Sequence, residues 1–315
     1  LVWEELATPP AGTSLLELRL TGLRGGHSGA EIHLERGNSN VLGARVLAAV
    51  RDAVPTVRIA DVAGGDKHNA IPREFRAVVA VPAGAETTLD TICHDLTEVF
   101  RDELGAEAGV RVAAGAVGAA AGDAVATGTD AGAAPAEAVR LLGVADSSRV
   151  IDLLLAIPHG VLGMSRDVPG LVETSTNFAA VSVAEGALRI LTSQRSSRGS
   201  MIDAAAERVA APMRLAGGEV SFGDGYPAWP PRPQSDLVDT AVEVYKQRFG
   251  SAPEVGAFHA GLECGVIGDK VGGMDMISFG PDMQGVHTPD EKISIPSTER
   301  TWAVLIDLLR ALTRE

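Results

Sequence analysis

Only two cysteines, Cys93 and Cys264, occur among 315 residues. That scarcity excludes a disulfide scaffold and a zinc cluster held by thiolates. Each thiol reads as a small buried hydrophobe, and the low count fits a reducing, cytoplasmic setting. Runs of Lys and Arg are missing as well, and the formal net charge is −14. A surface of that sign repels phosphate backbones and anionic membranes, so neither a nucleic acid nor a membrane is expected as a partner. No apolar run approaches the roughly 20 residues that a bilayer-spanning helix requires. Leu1 to Glu5 lack the basic start and apolar centre of a signal peptide. The chain begins without Met, so its start is expected to be a processing, cloning or truncation point, although loss of an initiator alone also explains it. The absence with the most chemical weight is that of any His-x-Asp. A hydrolytic metal centre needs several His, Asp or Glu ligands and an open position for water.

What is present suffices for a large core: 45% of the residues are hydrophobic, and the length allows one large domain or two. Apolar and charged residues alternate over 16–20 and more loosely over 57–62, and 75–81 is a β-rich apolar run; all three predict strands. Helical spacing predicts helices over 86–104 and 40–50. Residues 113–138 form an Ala/Gly tract with scattered acids, too poor in large side chains to anchor a core, and are expected to be a mobile loop. Strands over 172–183 and 187–192 should flank a hairpin turn at Glu185-Gly186. A helix is predicted over 201–215, with Pro212 threatening an early end. The proline-rich stretch 226–233 continues neither helix nor central strand and makes the best domain boundary. Beyond it, Ser235 should cap a helix running to Phe249, 274–279 should be a buried strand, and 297–312 a closing amphipathic helix. The expected class is therefore mixed α/β and α+β.

Several residues carry candidate chemistry. In Leu-Arg-Gly-Gly-His27-Ser-Gly, the imidazole projects from a glycine-rich loop and either polarises a carbonyl or caps a turn. In Gly-Gly-Asp-Lys-His-Asn69-Ala-Ile-Pro-Arg-Glu, Asn69 either donates to a substrate oxygen or makes an Asx turn. Arg195, in Gln-Arg-Ser-Ser, either forks onto a substrate carboxylate or is solvated. His287 lies between Gly285 and Pro289, with Asp290 and Glu291 close enough to orient its ring, and is the candidate zinc ligand; a lone His beside acids is also commonly no metal site. His259 reads as a satisfied core residue and Leu262-Glu263-Cys264 as a helix start. The adjacent Glu4 and Glu5 read as a solvated pair in a frayed terminus, without a partner.

Taken in order, Gly-Gly-His27-Ser-Gly, Asn69-Ala-Ile-Pro-Arg-Glu, Gln-Arg195-Ser-Ser, His259-Ala-Gly-Leu-Glu-Cys-Gly and His287-Thr-Pro-Asp-Glu resemble the bacterial aminoacyl-histidine dipeptidases, which are carnosinase-like zinc peptidases. The likeness runs from about Leu15 to the C-terminus. It implies a lid domain of sheet plus helices over 1–225, through which a homodimer can form, and the C-terminal part of an α/β zinc-peptidase catalytic domain over 226–315. It also implies His287 as a zinc ligand and His27 as the lid histidine that stabilises an oxyanion. Asn69, Arg195 and Gly261 would hold a dipeptide substrate, chiefly at its carboxylate end. The family chemistry would have a metal-bound water attack the peptide carbonyl. Two zinc ions are expected in an intact enzyme, but their remaining ligands would lie upstream of residue 1. This chain by itself is therefore expected to be inactive towards Xaa-His dipeptides. The alternatives are a noncatalytic peptide-binding or dimerisation module, and a relative acting as an aminoacylase or carboxypeptidase.

Overall fold

A computed structural model describes the chain except at positions 2, 7, 8, 106–108, 118–138, 224, 226, 231, 233, 260, 261, 285–290, 314 and 315. The chain divides into two compact units. One comprises Leu1–Gly163, Val172–Ser196 and Ser200–Phe222; the other comprises Met164–Leu171, Ser197–Gly199 and Gly223–Glu315.

The first unit opens with β1 (Trp3–Leu6), β2 (Thr13–Thr21), the two-residue β3 (Gly26–His27) and helix α1 (Ser39–Ala53). β4 (Arg58–Gly64), β5 (Ala70–Ile71), β6 (Phe75–Pro82), α2 (Glu86–Leu104) and β7 (Arg111–Ala116) follow. Then come β8 (Val139–Leu142), α3 (Val144–Ala156), β9 (Gly160–Met164), β10 (Val172–Ala184), β11 (Ala187–Ser196) and α4 (Gly199–Leu215). The main sheet runs β11-β10-β4-β6-β2-β7, with β9 attached to β10, while β1 pairs with β8 and β3 with β5. Alternation decides which side chains enter the core: Leu16, Leu18 and Leu20 of β2 and Phe75, Ala77, Val79 and Val81 of β6 share one cluster. Helices α1, α2 and α3 bury Leu47 and Val50, Leu89 and Phe100, and Ile151 and Leu154 in the same cluster. Asn38 caps α1 by accepting from the amides of Asn40 and Val41 at 2.9 and 3.3 Å. The Glu185-Gly186 turn has positive φ at both residues, 54° and 73°, as a two-residue hairpin requires.

Three expectations for this unit need correction. Residues 113–116 are not loop but part of the edge strand β7, laddered to β2 from Leu16–Ala116 to Thr21–Arg111. Small side chains still offer a full set of backbone donors and acceptors; the rest of the expected loop, 118–138, lies outside the described residues. Helix α4 runs through Pro212 to Leu215. Proline removes only its own amide, and its carbonyl still accepts from Ala216 at 3.0 Å, so the last turn closes. Glu4 and Glu5 stand in β1, not in a frayed end, and Glu4 accepts from Arg58 at 2.6 Å while remaining solvated.

The second unit contains α5 (Asp236–Phe249), α6 (Glu263–Lys270), β12 (Met283–Gln284), β13 (Lys292–Ile293) and α7 (Ile295–Leu312). β12 pairs with β13, and α5 packs on α7. The strand expected over 274–279 is absent, because no described strand of this unit lies alongside to complete its hydrogen bonds; Met274 and Phe279 are exposed. Ser235 caps α5 by accepting from the amide of Val238 at 3.0 Å, and its hydroxyl donates to the Asp275 carboxylate at 2.7 and 2.8 Å. Those bonds to Ser235 and the Leu237 amide hold the Asp275 carboxyl below its ordinary range. Replacing Ser235 by alanine removes both roles and is expected to cost about 1 kcal/mol, read as a lower melting temperature and faster amide exchange in the first turn of α5. Unchanged exchange would refute the capping account.

Candidate functional site

The glycine-rich loop after β2 brings His27 into a short ladder with Ala70. Gly25 has φ +63°, and a Cβ there would come within 2.4 Å of Arg73 Cγ and 2.8 Å of the Ile71 carbonyl, so only glycine lets the loop approach so closely. Arg36 braces the loop by donating to the Gly25 carbonyl at 2.5 Å and to Glu31 at 2.7 Å, and Glu31 in turn accepts from the His27 amide at 2.8 Å. The imidazole is held by its own chain: Nδ1 accepts from the amides of Gly29 and Ala30 at 3.2 and 2.9 Å. An Nδ1 that accepts two amides leaves the ring proton on Nε2, so the neutral imidazole is a directed Nε2–H donor. The two readings of His27 are thus compatible, since the ring caps a turn with one nitrogen and presents a donor with the other.

Asn69 sits in the turn that Ala70 closes by donating its amide to the Lys67 carbonyl at 3.2 Å. The Asn69 carbonyl accepts from the amide of Ser28 at 2.9 Å, tying this turn to the His27 loop. Local chemistry left an Asx turn open for Asn69, but no such bond from its side chain occurs among the described residues.

Arg195 lies opposite Ser175 in the β10–β11 ladder. It is not the solvated surface side chain that local chemistry makes the default. Its Nε is buried without a hydrogen-bond partner, and no carboxylate pairs with it among the described residues. Burial lowers the pKa of its guanidinium from the ordinary value. Strand periodicity places Ser175, Asn177 and Arg195 on one face and Thr174, Thr176 and Phe178 on the other. The cross-strand bonds of Thr174 with Ser196 and of Gln194 with Thr176 lie on that second face. Asn177 donates to the carbonyls of Ala70 at 2.8 Å and His68 at 3.3 Å, so β10, the Asn69 turn and the His27 loop meet in one place.

His287, the candidate zinc ligand, and Gly261, the candidate substrate contact, lie outside the described residues, as do Gly285, Pro289 and Asp290 beside His287. His259 is half-buried, and Glu263 opens α6, which makes Leu262-Glu263-Cys264 an ordinary helix start. Among the described residues, no three His, Cys, Asp or Glu side chains stand close enough to hold a metal ion. The described part of the chain therefore does not fit a two-zinc centre. Cys93 is buried between α2 and the sheet, and burial pushes its thiol up to about 12, far from a nucleophile's range.

Inspection of local motifs missed three residues: Asn177, Asn38 and His159. Asn in the interior of a strand, as at 177, is the one available signal, because strands are depleted in it. Asn38 and His159 announce themselves only in three dimensions, where Asn38 Nδ2 lies 3.2 Å from His159 Nδ1 and donates to the Phe178 carbonyl at 3.0 Å.

Within the unit built around this sheet, residues 18–108 match the family model of a peptidase dimerisation domain. Over 307 residues, 96% of its length, the chain is 34% identical to the cytosol non-specific dipeptidase of Escherichia coli K12. The crystal structure of aminoacylhistidine dipeptidase from Vibrio alginolyticus matches over 98% of the chain, with a TM-score of 0.80 and 34% identity. The chain is thus similar to two dipeptidases along nearly all its own length, has a mixed α/β fold, and spans 59% of the length of each of those two proteins.

Proposed function

We propose that this chain provides the peptide-gripping part of a dipeptidase, in which Arg195 takes the free carboxylate of a short peptide and His27 donates from Nε2 to its scissile carbonyl. The observation that carries this reading is the half-buried Arg195, whose Nε is out of contact with water and unpartnered and whose guanidinium lacks a counter-anion among the described residues. A planar fork of donors in such a setting suits a carboxylate. The His27 donor suits the same ligand, because a fixed neutral N–H stabilises negative charge developing on a carbonyl oxygen without giving up its proton. Asn69, in the turn bonded to the His27 loop, would add an amide to the peptide backbone.

The preference for Xaa-His peptides and the use of zinc rest on the motif resemblance, with His287 as zinc ligand and Gly261 at the substrate carboxylate. No chemical step is assigned to a metal, since the described residues do not form a site for one. The 315 residues by themselves are assigned binding without turnover. A homodimer through the sheet unit is part of the proposal, supported by the dimerisation-domain match, as is a cytoplasmic setting.

Calorimetric titration of a Xaa-His dipeptide against its C-terminal amide tests the reading. The free acid should bind, and Arg195→Ala should weaken it by about ten- to a hundredfold, the range for a hydrogen bond to a charged group. Equal affinity of the wild-type chain for acid and amide would refute the carboxylate role. Two bound zinc ions per chain together with dipeptide cleavage would refute binding without turnover. A noncatalytic dimerisation module predicts dimers on size exclusion without peptide affinity.

A further inference from the structure

We infer that Asn177 is a positioning residue for the peptide site, an assignment that rests on the reading of His27, Asn69 and Arg195 just given. The side chain is buried at 1% exposure inside β10, where an aliphatic residue would fill the space without the cost of burying an amide. Its Nδ2 aims at two carbonyls, those of Ala70 and His68, and these flank Asn69. The same turn receives the Ser28 amide through the Asn69 carbonyl, and Ala70 ladders with His27. One carboxamide therefore fastens the segments that carry both Asn69 and His27. Its own strand holds Ser175, opposite Arg195, about 7 Å further along, the repeat of alternate residues in a strand. Asn177 is the side chain that sets the carboxylate anchor and the carbonyl donor at a fixed separation. Among the described residues its Oδ1 accepts no hydrogen bond, so the donor half of the amide carries the role.

The role separates from mere packing. A space-filling residue would stabilise the sheet, and its loss would leave peptide affinity per folded molecule unchanged. A positioning residue loosens the turn and lowers that affinity, because two anchors no longer meet the ligand together.

The test uses the full 315-residue chain with Asn177→Ala and Asn177→Asp, the latter matched in size but unable to donate as a carboxylate. Amide hydrogen exchange at Ser28 and Ala70 should accelerate about tenfold or more, while the core amides of β6 keep their protection. Affinity for the Xaa-His dipeptide should fall about tenfold, the scale of one lost hydrogen bond. Unaltered exchange at Ser28 overturns the inference. So does faster exchange with undiminished peptide affinity, and so does failure of both variants to fold, since Asn177 would then be a core residue only. Arg195→Ala and Asn69→Ala run in parallel. If they weaken binding and the Asn177 variants do not, the inference alone falls; if they also leave binding intact, the peptide-site reading falls and takes the inference with it.

Discussion

Replacing Gly65 by alanine is expected to destabilise the protein by about 3–5 kcal/mol, the upper range for a single substitution. Gly65 has φ +69°, which costs an L-residue about 1–2 kcal/mol even in open space. Here the space is closed. A Cβ would lie 2.0 Å from the Ala179 carbonyl oxygen and 3.0 Å from Pro72 Cβ. Neither neighbour is the far end of a flexible side chain, since the carbonyl belongs to the backbone of β10 near its bulge, so the strand itself would have to move. Gly84→Ala is the control, with φ +91° and nothing within 4 Å of the added atom. It should cost only the conformational part, about 1–2 kcal/mol. Urea unfolding of both variants separates the terms, and equal losses would refute the close-approach argument. Because the residues after Gly65 lead into the Asn69 turn, its variant should also lose peptide affinity.

Where sequence and structure agree, the reason is local. The expected helix over 86–104 coincides with α2, because its apolar residues recur at helical spacing and meet the sheet at Leu89, Cys93 and Phe100. The hairpin at Glu185-Gly186 follows from turn chemistry alone, and Ser235 caps its helix with a bond made three residues away. Where they part, the missing information is non-local. A strand is a property of a pair, so the β-rich run 274–279 stays without strand structure, whereas the feeble Ala/Gly residues 113–116 become a strand because β2 lies beside them. The site divides in the same way. His27 was legible from its glycines, and its turn-capping bonds reach only to Gly29 and Ala30. Asn177 was not, because the carbonyls it grips belong to a turn that lies far away in the sequence and close in the fold. The burial of the Arg195 Nε, the fact that turns an ordinary surface cation into a candidate anchor, likewise comes from packing that no motif records.

The same non-local packing makes His159 a source of acid sensitivity, and stability is expected to fall by about 3 kcal/mol through this residue as the pH drops from about 6.5 to 4. Burial lowers its pKa from the ordinary 6.5 to about 4. The geometry agrees with that direction. Asn38 has its Oδ1 committed to the α1 amides and can offer His159 only its Nδ2, so the facing Nδ1 must be an acceptor and the ring neutral. A proton on Nδ1 would set two donors against each other. The folded pKa is the lower one, so the unfolded chain binds more protons between the two values. The contribution is therefore complete above about pH 6.5 and is lost as the pH falls through that window. At roughly 1.4 kcal/mol per pH unit, the fall from 6.5 to about 4 gives the stated magnitude. Carboxylates titrate in the lower half of the same window, so the effect must be read as a difference. Urea unfolding of the wild-type chain and of His159→Gln, taken from pH 7.5 to 4.5, should give curves that converge as the pH falls, with the wild type losing the advantage it holds at neutral pH. The ring proton signals of His159 should stay unshifted down to pH 5, whereas an exposed imidazole titrates near 6.5. A midpoint near 6.5 for His159 would mean that water reaches the ring and that the bond to Asn38 does not hold its Nδ1 as an acceptor.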